Sequence, residues 1–554
     1  MLPAVVFNDT ALTEIYALSV HAALPIWLGL LRVWPRRLAA AALLLGWATD
    51  WLLLGKLPGI GLPLFVLLLT AVLFTLGRLE GKRPSLPNLW LLAPLFFFAT
   101  MVFVRANPFL TVLNVLATLL LLAYLAFFYG HGRVTELGVL GALLVPLRTA
   151  AHGSFLAAPL LAEAGAGLTR QRGQRLLPLL RGLLLALPVL LVFTALLASA
   201  DLVFAHLLET AVSLAALEAL LDEAWRFVFV AGAAWLLGGG LVYALVWRET
   251  AVSTPSMLEE FANAIPRRAG LGFVETATVL ALVDALFAAF VAVQAAYLFG
   301  GDRHRLLAGI SYADYARRGF FELVAVAVLA LLLVLGLNWL ARRASKRQLR
   351  LFNALSSLLV GLVLVMLVSA WQRMRLYEAA FGATELRLIV FVFIAWLAPL
   401  LLWFVATLWR RPDRFAIGLI AAVIGFAATL NALNPEARIV RQNVARYQET
   451  SDLDAAYLTT LSADAVPALA AALPLLAGDT QLVPTPACAH RYDAADDPAC
   501  LATPAEILSA NLAGRLEAMT ADDGWRQWQS RHLARGRAFA ALAGAGLPAA
   551  GGDS

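Results

Sequence analysis

The 554-residue chain is 61% hydrophobic and only 14% charged, with a mean hydropathy of +0.80. Soluble domains run about 45–50% apolar and about 25% charged, so this composition excludes a water-soluble core and calls for a bilayer as solvent. The net charge of +6 is uneven: residues 435–554 hold nine Arg, no Lys and fourteen Asp or Glu, against 33 basic and 22 acidic groups before them, and the basic residues lie between apolar runs rather than in one patch, which excludes nucleic-acid binding.

Residues 1–26 read as a non-native leader. Within them, 6–26 (VFNDTALTEIYALSVHAALPI) resembles a translated sequencing-adapter read, with no basic n-region ahead of an apolar stretch. Apolar runs then predict spans at 38–54, 60–76, 89–104, 109–128, 182–200, 225–246, 273–299, 320–341, 351–371, 386–409 and 415–433. About 20 helical residues cross a hydrocarbon layer about 30 Å thick. The first two runs are short enough to form a re-entrant pair instead, and 137–147 is too short to span and reads as interfacial or re-entrant. The expected fold is all-α: a polytopic transmembrane helical bundle of about 11 spans over 27–434, then a small helical tail over 435–554.

Loop charge supports this order. Arg36 and Arg37 precede the first span, Arg78, Lys82 and Arg83 follow the second, and Arg133, Arg148, Arg170 and Arg181 lie between the fourth and fifth. Arg267 and Arg268, then Arg342, Arg343 and Arg347, then Arg410, Arg411 and Arg414 follow the sixth, eighth and tenth. These are alternate loops, as a cytoplasmic N-terminus requires. The loop after the fifth span carries Asp201, Glu209, Glu218, Asp222 and Glu223, as the outer side should, whereas the loops at 302–318 and 373–385 each carry two or more Arg against the pattern. An odd number of spans places the tail outside. Trp90, Trp247, Trp339 and Trp409 fall at span ends, where amphipathic rings anchor at the headgroups.

The tail reads as about four helices. Asn434-Pro435-Glu436 has the form of an N-cap, a Pro at N1 and an acid in the first turn, after which Val440, Val444 and Tyr447 recur at one-turn spacing. Ser451 with Asp454, and Thr503-Pro504 with Glu506, mark further starts. Cys488 and Cys500 lie twelve apart; an exported tail favours a disulfide between them over two free thiols.

No phosphate loop, zinc-helix motif, C-x-x-C pair or nucleophile elbow occurs, and the seven histidines are scattered. The expectation is no metal, no cofactor and no catalytic centre. What remains is a candidate intramembrane polar site: Asp284, Asn114, Gln294 and Asn338. Asp284 lies near the middle of its span, where an ionisable group is costly. Ala277, Ala281, Ala288, Ala292 and Ala295 share its helix side, a small-residue stripe that would let a second helix approach. Asp284 is then either a proton or cation site or a carboxyl that locks helix packing. Asp50, Glu322 and Asn353 read as interhelical hydrogen-bonding groups, and Gly238-Gly239-Gly240 as a close-packing point. The segment 301–321 (GDRHRLLAGISYADYARRGFF), with Ser311 as an N-cap, reads as a solvated connector.

Three stretches carry a resemblance: 104–114 (VRANPFLTVLN), 310–322 (ISYADYARRGFFE) and 430–447 (LNALNPEARIVRQNVARY). They resemble a bacterial multi-pass membrane family catalogued as domain of unknown function 4173, related to 4153, over about 38–475. The resemblance implies a protein of the bacterial cytoplasmic membrane and supplies no activity. Two classes stay open: a non-enzymatic sensor, regulator or assembly protein that meets a protein partner through its tail, and a secondary transporter or channel with Asp284 on the pathway. The bilayer is the partner common to both, and no small-molecule or ion substrate can be named from these residues.

Overall fold

The computed structural model describes residues 35–130, 132–169, 214–247, 271–299, 320–341, 345–411, 414–478, 480–488 and 498–547. The expected leader, the span at 182–200 and nearly all of the connector at 301–321 lie outside the described residues. Eleven helices build the bundle: α1 (Pro35–Leu52), α2 (Gly61–Leu79), α3 (Leu92–Val104), α4 (Pro108–Phe127), α5 (Val139–Thr169), α6 (Leu214–Val242), α7 (Phe273–Phe299), α8 (Phe320–Leu340), α9 (Lys346–Phe381), α10 (Glu385–Arg410) and α11 (Phe415–Leu433). Among the described residues, nine helices are long and apolar enough to cross a membrane.

The expected spans that fall within the described residues recur as helices, and α6, from Leu214, and α9, on to Phe381, run well past the apolar stretch. α9 extends to 36 residues, about 54 Å at 1.5 Å per residue, so it outruns the hydrocarbon layer. The stretch 137–147 does not end as a short element: from Val139 it opens the 31-residue α5. Alanine-rich sequence after Thr149 keeps the helix going where hydropathy alone falls off. The first two runs form two helices, of which α2 is long and apolar enough to cross a membrane.

Two buried apolar clusters make the bundle. One joins α1 to α6 and includes Leu45, Leu95, Phe98 and Leu125. The other joins α7 to α10 through Leu280, Val334, Leu359 and Phe404. Helix α11 is the seam: Ala427 belongs to the first cluster, Phe415 and Ala422 to the second. Small residues allow the close contacts. A Cβ at Gly153 of α5 would sit in ordinary van der Waals contact with the Gly239–Gly240 backbone of α6, whereas Gly46 of α1 leaves no room against Ala234. Across α10 and α11, the indole of Trp403 covers Gly418 and that of Trp396 covers Gly425, with Trp396 Nε1 donating to Thr429 Oγ1 at 3.0 Å. The two tryptophans and the two glycines are each seven residues apart, the repeat of one helix face.

The tail holds α12 (Pro435–Thr450), α13 (Ala455–Thr459), α14 (Val466–Leu476), α15 (Pro504–Ala521) and α16 (Leu533–Gly544). Among the described residues these are five α-helices, α13 being five residues long, against an expected four or so. The tail also has a short antiparallel pair, β1 (Val483–Pro484) with β2 (Leu501–Ala502), which brings Cys488 and Cys500 to a Cα separation of 5.6 Å, joined through their sulfurs. Its core centres on Ile439, Leu458, Leu469, Leu508 and Leu512 and includes Ala383 from the turn between α9 and α10. Thr503 and Glu506 form the expected capping box. Two other starts differ from the reading. Asn434 makes no side-chain cap and takes a left-handed conformation (φ 46°), since it also ends α11. Ser451 ends α12 in the left-handed region, and Asp454 instead caps α13 by accepting from Tyr457 N–H at 2.9 Å.

Gly425→Leu and Gly418→Leu should both be damaging, because the Trp396 ring is held by Thr429 and the Trp403 ring by the Arg414 carbonyl, so neither swings freely away. A loss of about 1–3 kcal/mol, read as a lower melting temperature in detergent, is expected. Gly361→Leu, where no heavy atom crowds a built Cβ, should leave the melting temperature near that of the parent.

Candidate functional site

The polar groups of the chain converge at the end of the bundle that meets the tail. Helix α3 ends at Val104 and Pro108 opens α4, leaving the three-residue turn Arg105-Ala106-Asn107. Asn107 caps α4: its Oδ1 accepts from Leu110 N–H at 2.9 Å. Its amide nitrogen then donates to Glu385 Oε1 at 2.9 Å and to Glu436 Oε1 at 2.8 Å. A primary amide has two N–H donors, so one side chain ties together the starts of α4, α10 and α12. The other oxygen of Glu436 accepts from the backbone N–H of Ser462 at 3.0 Å and from its hydroxyl.

Asp464 closes the turn from the tail side. Its Oδ2 accepts from the N–H groups of Ala106 (2.6 Å) and Asn107 (2.9 Å), and its Oδ1 lies 3.7 Å from the Arg105 guanidinium. Arg105 Nε donates to the Asn431 carbonyl at 2.8 Å, and the Arg105 carbonyl meets His532 Nε2 at 3.1 Å, which places that ring proton on Nε2. About two turns deeper, Asn114 and Asn431 exchange amide hydrogen bonds at 2.9 and 2.8 Å across α4 and α11. Of the three carboxylates, Asp464 faces the Arg105 guanidinium, and Glu436 acts electrostatically on Arg515. Most of their charge is satisfied by N–H and O–H dipoles, which hold a buried carboxylate without a matched counter-ion.

Burial pushes the Asp464 carboxyl above its ordinary value, while the Asn107 N–H and the Arg105 cation pull the other way. Burial likewise lowers Arg105, against the pull of Asp464. His532 is pushed down to about 4 from 6.5, first by burial and then by the Arg535 cation, with its bond to the Arg105 carbonyl opposing. The ring is 3% exposed and neutral at physiological pH.

A second seam docks the tail on the loop between α1 and α2. Ile60 N–H donates to the Arg531 carbonyl at 3.0 Å, Leu57 N–H to Ser530 Oγ at 3.1 Å and Lys56 Nζ to Gln527 Oε1 at 2.7 Å. Gly59 lies against the Ser530 and Arg531 backbone with no room for a side chain. A third holds the turn between α9 and α10: Asn443 bonds both N–H and C=O of Ala383 (2.6 and 2.9 Å), and Arg446 donates to the carbonyls of Ala379 and Ala380.

The four residues read as an intramembrane polar site do not form one group. Asn114 belongs to the node through Asn431. Asp284 and Gln294 share the buried face of α7 with Thr276 and Leu280. Ten residues apart, they are separated by about 15 Å of helix. Asn338 is half-buried on α8. The alanine stripe is corrected: Ala281, Ala288 and Ala292 are exposed, and the face toward α9 is instead Thr276, Leu280, Val283, Asp284, Phe287 and Val291. Asp284 is 4% exposed, and neither of its carboxylate oxygens has a hydrogen-bond partner; nor does the Gln294 amide. Asp50 is held by Arg226 of α6 through two bonds of 2.6 and 2.7 Å, and Asn353 donates to the Leu408 carbonyl at 3.0 Å. Among the described residues, no group of three or more His, Cys, Asp or Glu side chains is placed to hold a metal ion.

Sequence reasoning passed over Asn107, Glu385, Asp464 and His532, and took Glu436 only as a first-turn acid. The available signal was Asn107-Pro108, an N-cap and N1 pair, inside a stretch that carried the family resemblance. Nothing local marks the acids that would answer it more than 270 positions away.

The fold is that of a polytopic α-helical membrane protein with its following helices packed on one end. The chain belongs to the family described as Domain of unknown function (DUF4153), which matches residues 92–472. The match runs from the start of α3 to within α14, so it includes the whole node except His532. No curated protein and no solved structure matches the chain.

Asn107→Ala should cost about 1–3 kcal/mol by leaving buried acceptors unpaired, and Asn107→Asp more, since a third carboxylate would then face Glu385 and Glu436. Thermal unfolding in detergent checks the order, and a milder Asp variant than Ala variant would contradict the node. His532 adds a pH signature. The unfolded ring takes up its proton near 6.5 and the folded one only near 4, so stability should fall as pH drops through that window. Asp464, raised from 3.8, gives the opposite slope just above that value. His532→Gln keeps a donor for the Arg105 carbonyl and should flatten the loss between pH 6.5 and 4.

Proposed function

We propose that this chain is a non-enzymatic sensor, regulator or assembly protein of the bacterial cytoplasmic membrane, with a cytoplasmic N-terminus and an extracytoplasmic tail. The observation that carries the reading is the node: one asparagine side chain couples the first residues of α10 and α12 to the head of α4, so displacement of the tail acts directly on helices of both bundle clusters. That coupling is what a protein needs to relay an event at its tail into its membrane helices. The likeness to the related family 4173 fits the same bacterial setting.

Charge supports the orientation. The turns at 53–60, 105–107 and 382–384 all bond the tail. The helices entering and leaving them carry Arg78, Lys82, Arg83, Lys346, Arg347, Arg410, Arg411 and Arg414 at their opposite ends. Positive charge on the face away from the tail agrees with a cytoplasmic location for that face. Arg387, one of the cations against the pattern, is spent on the Phe381 and Gly382 carbonyls and on the Tyr377 ring. A Cys488–Cys500 disulfide fits an oxidising outside.

A secondary transporter or channel is the second reading, favoured by the unpartnered, buried carboxyl of Asp284. Two measurements separate these. In intact cells, a membrane-impermeant thiol reagent should label Cys488 and Cys500 only after reduction; labelling that requires a broken membrane would place the tail in the cytoplasm. Asp284→Asn should leave folding and tail-dependent partner capture unchanged under the first reading. Loss of a substrate or ion flux in that variant, with folding intact, would transfer the assignment to the transporter.

A further inference from the structure

Between α12, α14 and α16, where they meet the end of α3, lies a half-open groove of about 510 Å³. Its floor is apolar and small, formed by Ala437, Ala468, Ala472 and their neighbours, and its rim carries Leu475, which is 61% exposed. Its charge runs against the trend of the tail. In a segment with nine Arg and fourteen acids, the groove gathers Arg441 and Arg537, adds Arg105 from the bundle, and contains a single carboxylate, Asp464. That carboxylate is already engaged by two backbone N–H groups and by Arg105. Arg537 is close enough to Arg105 to act on it electrostatically. Arg441 and Arg537 are exposed, and among the described residues neither has an ion-pair or hydrogen-bond partner. Asn434, also in the lining, has a buried Oδ1 without a partner.

Uncompensated guanidiniums above an apolar floor match a ligand with an anionic oxygen group and an attached hydrocarbon. The position selects the source. The span that ends at Val104 leaves the hydrocarbon there, and both Val104 and Arg105 line the groove, which puts its inner end at the level of the lipid phosphates. We propose that this groove binds the headgroup of an anionic phospholipid from the leaflet facing the tail, with Arg441 and Arg537 contacting the phosphate and the alanine-lined floor taking the glycerol and the first carbons of a chain. The site does not depend on the sensor reading: a transporter with the same tail would keep it.

The test uses full-length protein in nanodiscs of phosphatidylcholine with a minor fraction of phosphatidylglycerol, followed by gentle detergent extraction and quantification of retained lipid by native mass spectrometry. The parent should retain phosphatidylglycerol over phosphatidylcholine. The double variant Arg441→Gln, Arg537→Gln should lose about tenfold in that preference, of the order expected for removing two charge-assisted contacts. Both side chains are exposed, so the fold should persist. Arg438→Gln, which removes an exposed charge of the same helix outside the groove, should retain the preference. Equal retention of phosphatidylglycerol by parent and double variant would overturn the proposal. So would protection by millimolar inorganic phosphate in place of lipid, which would make the groove a soluble-anion site.

Discussion

The Asn107 side chain is the constraint on which the junction of bundle and tail depends. An amide presents one acceptor and two donors, and all three are used: the acceptor on its own helix start, the donors on Glu385 and Glu436. Because the turn is only three residues long, the backbone N–H groups of Ala106 and Asn107 would be orphaned at a buried helix end. Asp464 takes both. The tail therefore completes the hydrogen bonding of the bundle, and the bundle supplies the donors for the acids of the tail. Neither half satisfies its polar groups alone.

This reciprocity explains how an acidic tail can be buried against the end of a membrane bundle. Isolated carboxylates in such a place are costly, yet Glu436 and Asp464 are 3% and 5% exposed. Their charge is spread over N–H dipoles and the Ser462 hydroxyl, with Arg105 the one cation in contact. A design built on ion pairs would have been screened or mispaired more easily. One built on directed N–H groups requires a particular backbone path, which the left-handed turn at Asn434 and the Pro435 start provide. The reach of α9 beyond the bilayer serves the same end, since its last turns carry the carbonyls that Arg446 grips and lead into Ala383, which Asn443 holds.

Within the bundle, polar groups fall into two kinds. Asn114 with Asn431 and Asp50 with Arg226 are matched pairs between helices, where each donor finds an acceptor and the gain is adhesion. Asp284 and Gln294 are not matched, though both are buried on the packed face of α7. They mark the part of the bundle where polarity is kept without a structural return.

What the sequence determined by itself was the material of each element. Long apolar runs can be solvated only by lipid, so α2 to α4, α7, α8, α10 and α11 were legible to within a few residues, whereas α6 and α9 each run well past the apolar stretch at one end; Thr503 and Glu506 cap each other within one turn, so the start of α15 was legible too. Local chemistry also pointed to the cysteine pair. What only the tertiary structure decided was partnership. Apolar periodicity cannot say which face of α7 packs, because Ala281 and Leu280 are both apolar and the neighbour's shape chooses between them. It cannot extend to α5, whose alanines are weak hydrophobes but strong helix formers. Above all, a hydrogen bond from Asn107 to Glu385 or Glu436 leaves no trace along the chain, because directional polar contacts have no sequence period. They exist only once α4, α10 and α12 have been brought to the same place by the burial of everything else.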